Sequence, residues 1–453
     1  MAAQNGERAS QVRVNLKARD SEIELPVESQ GSIVVSTDVK RYQLSTLVNK
    51  LLGPEKPIPF EFLINGQFLR TSLDEFLTQN GISAESTLNV EYVKALVPPL
   101  HVASYEHDEW VSSVDISSNS GAPSSRILSG SFDGSIRIWD ESSQVIATGQ
   151  WHRSSVQSVK FITTNSIASA GNDRSIRIWD FENSDEKDRG KLTPKLELLG
   201  HKSIIDRIVV HAPSSRILSA SSDHTIGLWT SSKSSAPAAP ESSSSNKRRK
   251  LSGPAVSTPQ RGALSMLTGH QHHVKDVSFD ARDATVAYSG SMDHTIKTWD
   301  LATSTCVTTI PTTHSIFSIC HLPTHSLLAA GNTNNTIDLI DLRSTATKLS
   351  SLICIGHTNW IRSISPSPSS NTYQFVSASS DSTCKIWDLR STSQNAAGNA
   401  IAKPVYTIER ESQKGAPKSA RGSESAVFGV VWDEKVGIVS GGEDKRVQIN
   451  RAP

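Results

Sequence analysis

The chain has 453 residues, more than the roughly 250 to 300 that one hydrophobic core supports, so several folding units are expected. Its 46 Lys and Arg nearly balance its 45 Asp and Glu, leaving a net charge of +1, which excludes a global field drawing the whole chain to nucleic acid or an acidic membrane. Cys306, Cys320, Cys354 and Cys384 lack C-x-x-C spacing, so neither a zinc site nor a disulfide framework is expected and a reducing, intracellular setting is. No secretory leader and no run of about 20 apolar residues is apparent, which predicts no membrane span, and nothing implies a cofactor.

In chain order, the polar residues 1–9 read as a disordered tail. "VRVNLKA" and "SIVVS" alternate as strands do, and "QLSTLVNKLLG" sets Leu44, Leu47, Val48, Leu51 and Leu52 on one helical face before a stop at Gly53. "FEFLINGQFL" predicts a hairpin about Asn65-Gly66; Ser72 and Glu75 predict a capping box on a short helix that stops at Gly81, and "TLNVEYV" returns as a strand. That order is similar to the ubiquitin-like β-grasp fold, so residues 10–95 are assigned to a ubiquitin-like domain. No Gly-Gly tail follows it, which argues against conjugation.

From about residue 100 one pattern recurs: "LSGSFDGSIRIWD", "ASAGNDRSIRIWD", "LSASSDHTIGLWT", "YSGSMDHTIKTWD" and "VSASSDSTCKIWD", with weaker copies in "AAGNTNNTIDLID" and "VSGGEDKRVQIN". Apolar alternation makes half-buried strands, and the Ser-Asp-Gly types make the turns between them. A His precedes most copies, as in Gly200-His201, Gly269-His270 and Gly356-His357. This resembles the WD-repeat family, which implies a seven-bladed β-propeller over residues 96–453 and a mainly β chain. It also implies that His201, Asp223, Trp229, His270, Asp293, Trp299, His357, Asp381 and Trp387 hydrogen-bond within blades. "LHVASYEH" is then the outer strand that closes the ring. A trio such as His270, Ser289 and Asp293 invites a catalytic reading, but its recurrence blade after blade with a Trp partner marks a structural network, so no catalytic residue is assigned.

Two stretches break the repeat. Residues 231–263, rich in Ser, Pro and Ala, predict a disordered insertion, whose basic centre Lys247, Arg248, Arg249 and Lys250 is a nuclear-import candidate. Residues 391–425 predict a mobile loop.

A ubiquitin-like module carrying "EKPIPFEFLINGQFLRTSLDEFL" and "LNVEYVKALVPP", joined to a propeller that opens with "DEWVSSVDIS", resembles the Ytm family of ribosome-biogenesis proteins. The resemblance implies a non-enzymatic assembly factor of the large ribosomal subunit, working in the nucleolus and nucleoplasm of the nucleus. Its propeller would bind the block-of-proliferation protein, in a trio with pescadillo, on the large-subunit precursor particle; its ubiquitin-like module would be gripped by the midasin ATPase for release. It further implies that Glu85, with Ser83 nearby in "GISAESTLNV", meets midasin's adhesion site, the carboxylate filling the open coordination position of the partner's bound ion. Direct contact with ribosomal RNA stays open. An alternative rests on Arg390 in "WDLR": such a W-D-x-R box occurs in substrate receptors of cullin-RING ubiquitin ligases.

Overall fold

The computed structural model describes residues 11–20, 23–26, 31–83, 85–117, 125–182, 190–240, 258–343, 352–368, 373–394, 400–414 and 425–452. The chain divides into two compact units, Met1–Pro98 with Leu389–Ala400, and Pro99–Asp388 with Ile401–Pro453. No helix among the described residues is long and apolar enough to cross a membrane.

In the first unit β1 (Gln11–Ala18), β2 (Ser32–Ser36), α1 (Arg41–Leu52), β3 (Phe60–Ile64), β4 (Gln67–Phe68), α2 (Leu73–Asn80) and β5 (Leu88–Lys94) form a ubiquitin-like domain. The sheet order is β2-β1-β5-β3-β4, with β1 and β5 parallel. Leu44 and Val48, one helical turn apart on α1, close over Val12, Val14, Phe62 and Tyr92 of the sheet. Asn49 pins the proline-rich return of the chain: its Oδ1 accepts from the N–H of Ile58 at 2.8 Å and its Nδ2 donates to the Ile58 carbonyl at 2.7 Å. Asn65 and Gly66 both take positive φ, 51° and 77°, as a two-residue hairpin turn requires. At α2 only half of the expected capping box forms. Ser72 Oγ accepts from the N–H of Glu75 at 3.3 Å, and Glu75 makes no return bond among the described residues.

The second unit is a seven-bladed propeller. Blade one is β7 (Val111–Ser117), β8 (Arg126–Ser131), β9 (Ser135–Trp139) and β10 (Val145–Gln150), and every later blade repeats this antiparallel four-strand plan. Blade seven takes its outer strand from the far end of the unit: β6 (Leu100–Glu106) pairs with Arg446–Arg451, which closes the ring and leaves it no open edge there.

Blade-to-blade packing follows from the innermost strands. Their first and fourth residues are β-branched in all seven, from Val111 and Val114 in blade one to Val427 and Val430 in blade seven. Each pair presses on a small residue of the preceding blade. A Cβ on Gly290 would stand 2.6 Å from Ile316 Cγ2, and one on Gly441 2.6 Å from Val111 Cγ1. The third residues stitch the seams: Ser113, Ser158, Ser318 and Ser363 accept the N–H of Val159, Ile208, Ile364 and Val430 in the next blade. The second residue is a β-bulge in every one of the seven strands, where two residues oppose one on the partner. A bulge frees its side chain from strict alternation and re-aims it, here toward one end of the central channel.

Two sequence expectations need correction. Within 231–263, residues 231–240 and 258–263 are described, and Gln260–Arg261 adds a parallel strand to the outer edge of blade two at Glu197 and Leu198. That edge would otherwise be open, so even a polar segment gains backbone hydrogen bonds there. The basic centre Lys247–Lys250 lies outside the described residues, as does the tail 1–9. Within 391–425, Tyr406–Glu409 is the outer strand of blade six and Ala400–Ala402 runs parallel to Leu352–Ile355. Tyr406 and Ile408 alternate over this stretch, and Lys403-Pro404 hides the strand by interrupting the run.

Candidate functional site

The loop that joins α2 to β5 is short and anchored at both ends. Gly81, at φ 64°, ends α2, and the Ile82 N–H reaches back to the Leu77 carbonyl at 2.9 Å, while Leu88 is buried where β5 begins. Between these anchors Ser83 organises a tight turn. Its Oγ accepts from the N–H of Glu85 at 3.3 Å, and its carbonyl accepts from the N–H of Ser86 at 3.2 Å and from Ser86 Oγ at 2.7 Å. Ser83 and Glu85 are both exposed; Ala84 lies outside the described residues. The Glu85 carboxylate has no hydrogen-bond or ion-pair partner among the described residues. It therefore stands exposed on a pinned backbone. Among the described residues no group of three or more His, Cys, Asp or Glu could hold a metal ion.

The blade residues assemble as a relay in three blades of the predicted set. In blade four His270 Nδ1 lies 2.8 Å from Asp293 Oδ2, His270 Nε2 is 2.7 Å from Ser289 Oγ, and Trp299 Nε1 donates to the same Oγ at 2.7 Å. One assignment of hydrogens satisfies every atom: imidazole Nδ1–H to carboxylate, Ser hydroxyl to Nε2, indole N–H to Ser. His201, Asp223, Ser219 and Trp229 repeat it in blade three, and His357, Asp381, Ser377 and Trp387 in blade six. Burial pushes the His270 and His357 pKa values below the ordinary range, consistent with this neutral imidazole. Burial raises the Asp293 carboxyl, but the hydroxyl of Thr295, the N–H of Gln271 and His270 together outweigh it and hold the group at about 2. Trp229, Trp299 and Trp387 are almost fully buried, so each relay is closed within its own blade.

Comparison with known proteins places these features. Residues 12–77 match the NLE (NUC135) domain. Residues 99–140, 143–180, 192–230, 262–300 and 348–388 match the WD domain, G-beta repeat. The chain is 52% identical to the ribosome biogenesis protein ytm1 of Aspergillus terreus over 97% of its own length and 96% of the relative's. It is 51% identical to the protein of the same name from Aspergillus niger over 99% and 96%. The chain belongs to the Ytm1 family of ribosome biogenesis proteins.

The repeat matches of this Ytm1-family chain skip blades five and seven, and the structure gives the reason. Blade five has Ala330, Asn334 and Ile340 where blades one to four and six carry Ser, Asp and Trp, so no such relay forms. Blade seven keeps Ser440 and Asp444 but has no His. Its place is taken by Arg410, 1% exposed, which lies in the stretch the sequence reading assigned to a mobile loop. Arg410 Nη1 donates to Ser440 Oγ at 2.8 Å and its Nε to Asp444 Oδ2 at 3.0 Å, while Nη2 reaches Asp444 Oδ1 at 2.5 Å and the Arg446 carbonyl at 2.6 Å. The only signal in the sequence was a cation directly after the outer strand of blade six, where other blades place their His. Arg390 of the W-D-x-R box is 5% exposed and stands 3.7 Å from Asp20 within the first unit; a docking Arg would have to be exposed.

Proposed function

We propose that this chain is a non-enzymatic assembly factor of the large ribosomal subunit that acts as a handle. Its membership in a family named for ribosome biogenesis supports the general role. In the finer reading the propeller binds the block-of-proliferation protein, in a trio with pescadillo on the precursor particle. The midasin ATPase grips the ubiquitin-like domain at Glu85, beside Ser83, and pulls the trio away. The reading places the chain in the nucleolus and nucleoplasm.

One observation carries the handle reading: the Glu85 carboxylate is exposed and has no partner among the described residues, on a turn whose backbone Ser83 pins in place. A carboxylate presented this way pays little to leave its own surroundings and can enter the open coordination position of a hard cation in the partner. The Glu85→Ala protein should fold normally and keep its propeller partner, yet lose capture of midasin's adhesion domain in a magnesium-containing pull-down. Glu85→Asp, one methylene shorter, should bind poorly. Capture that persists in Glu85→Ala, or that ignores a chelator, would sink the handle reading.

A further inference from the structure

The seven bulged residues do not form a uniform ring. Going round the channel mouth from blade one to blade four they are polar: Ser112, Gln157, Asp206 and Lys275. Blades five to seven then contribute Phe317, Arg362 and Phe428, all lining one cleft of about 100 Å³.

The second arc is extended by neighbouring rings. Trp110, Phe132 and Phe428 form a cluster with centroids 5.5 to 6.2 Å apart, and Phe317 stacks on Trp360 at 5.3 Å. Trp110 and Trp360 are 38% and 43% exposed. Large aromatics left in water around a recess are the residues that carry binding energy in protein interfaces.

The charges at the mouth do not balance. Lys275 is paired with Asp206 at 2.8 Å, and Arg207 lies 3.6 Å from Asp276. Arg362 differs. Its guanidinium lies over both Phe317 and Trp360, 5.2 and 5.3 Å from the ring centroids, and its Nε donates to Ser380 Oγ at 2.8 Å. Among the described residues no carboxylate stands within 4.0 Å of it, and the acid that acts on it, Glu443, does so only from beyond ion-pair distance. A planar cation lying against a stacked pair of rings, with one edge already bonded to Ser380, offers its remaining N–H donors to a carboxylate.

The recess is also shallow. Arg207 Nη2 reaches from blade three to the Arg362 carbonyl of blade six at 3.0 Å and bars the channel beneath. The mouth therefore admits the end of a side chain and no threaded strand.

We propose that this mouth is a docking site for a partner protein that presents a Glu or Asp side chain flanked by bulky apolar residues, the carboxylate meeting Arg362 and the apolar groups meeting Trp110, Phe428 and Trp360. Nucleic acid fits less well. A phosphate backbone is tracked by several uncompensated cations in a row, and of the described cations lining the mouth only Arg362 lacks a carboxylate within 4.0 Å. The site lies in the propeller and is independent of the Glu85 reading.

The test uses the full chain and two synthetic peptides in a Gly-Ser host, one carrying Phe-Glu-Leu and the other Phe-Gln-Leu, followed by quenching of tryptophan fluorescence. The Glu peptide should bind at least about tenfold more tightly than its Gln isostere at about 0.15 M salt. Arg362→Gln should erase that preference, whereas Gln157→Ala on the polar arc, which changes no charge, should leave it within about twofold. The comparison on the unaltered protein stands even if Arg362→Gln unfolds. Equal affinity for the two peptides overturns the proposal, as does a preference that survives Arg362→Gln. So does displacement of the peptide by a short oligouridylate, which assigns the mouth to RNA, or a dimer of the protein that Arg362→Gln dissolves, which assigns it to a second copy.

Discussion

Blades six and seven are adjacent and solve one problem with different residues. Each must satisfy a Ser hydroxyl on its second strand and an Asp in the turn that follows, both shielded from water. Blade six uses a neutral His and an indole, His357 and Trp387, in a chain of single hydrogen bonds. Blade seven has Asn450 in the Trp position and replaces the whole chain by one guanidinium, whose fork spans carboxylate, hydroxyl and carbonyl together. What the fold demands at this place is a set of donors at set distances, and a buried Arg–Asp pair meets it as fully as the His–Asp–Ser–Trp relay. The two solutions differ in how they fail. Removing a member of the relay strands neutral or hydrogen-bonded groups, while removing the Arg strands a buried charge.

The largest expected effect tests that contrast directly. Arg410→Ala leaves Asp444, 7% exposed at its side chain, without its cation, and should destabilise the propeller by about 3 to 5 kcal/mol, read as a shift in its urea midpoint. A loss no larger than that of a relay member would erase the distinction between the blades. Asp293→Ala in blade four should cost about 1 to 3 kcal/mol. The same change at the exposed Asn334 of blade five, where no relay exists, should stay within about 0.5 kcal/mol.

The smallest effect separates blade one from blade six. His107 bonds Ser129 at 2.8 Å, but its buried Nδ1 has no hydrogen-bond partner among the described residues; Asp133 is engaged by the N–H of Ser135. Burial first, then the charge of Arg137, pushes His107 down to about 4 from 6.5. The unfolded chain therefore takes up a proton that the folded one refuses, so this contribution is intact above pH 6.5 and is lost as pH falls toward 4. Between pH 7 and 5 the unfolding temperature should fall, and His107→Gln should flatten that slope. An unchanged slope would mean that other histidines set the acid response.

Most of the propeller could be read from the residues because its signals are local and repeated: a turn Asp, a strand Trp and a preceding His fall within one blade's sequence. The closing strand was legible for the same reason, since a ring with seven signatures lacks one outer strand. Arg410 escaped because residues 411–426 separate it from the blade it serves and because it shares neither shape nor charge state with the His it replaces. Gln260–Arg261 and Tyr406–Glu409 escaped because a strand that completes an existing edge needs little hydrophobic pattern of its own. In the ubiquitin-like domain the hairpin at Asn65-Gly66 follows from backbone preference. The exposure of Glu85 does not, because a lone acid between small residues reads the same whether it is paired or free. The channel mouth is the least legible of all. Its residues sit on bulges, where the two-residue alternation used to assign faces breaks down.

The latch between β6 and Arg446–Arg451 joins positions about 340 apart in sequence, as in the hydrogen bond from Arg446 to Glu106. During synthesis at about 5 to 20 residues per second, β6 emerges first and then waits for tens of seconds before its partner exists. Over that interval blade one has no neighbour on one side, and Leu100 and Val102 have no strand to pair with. The ring can be assembled blade by blade but secured only once, at the end. A lesion anywhere along the chain that delays the last blade therefore lengthens the time for which the first strand is unprotected, and makes β6 the segment most in need of a chaperone.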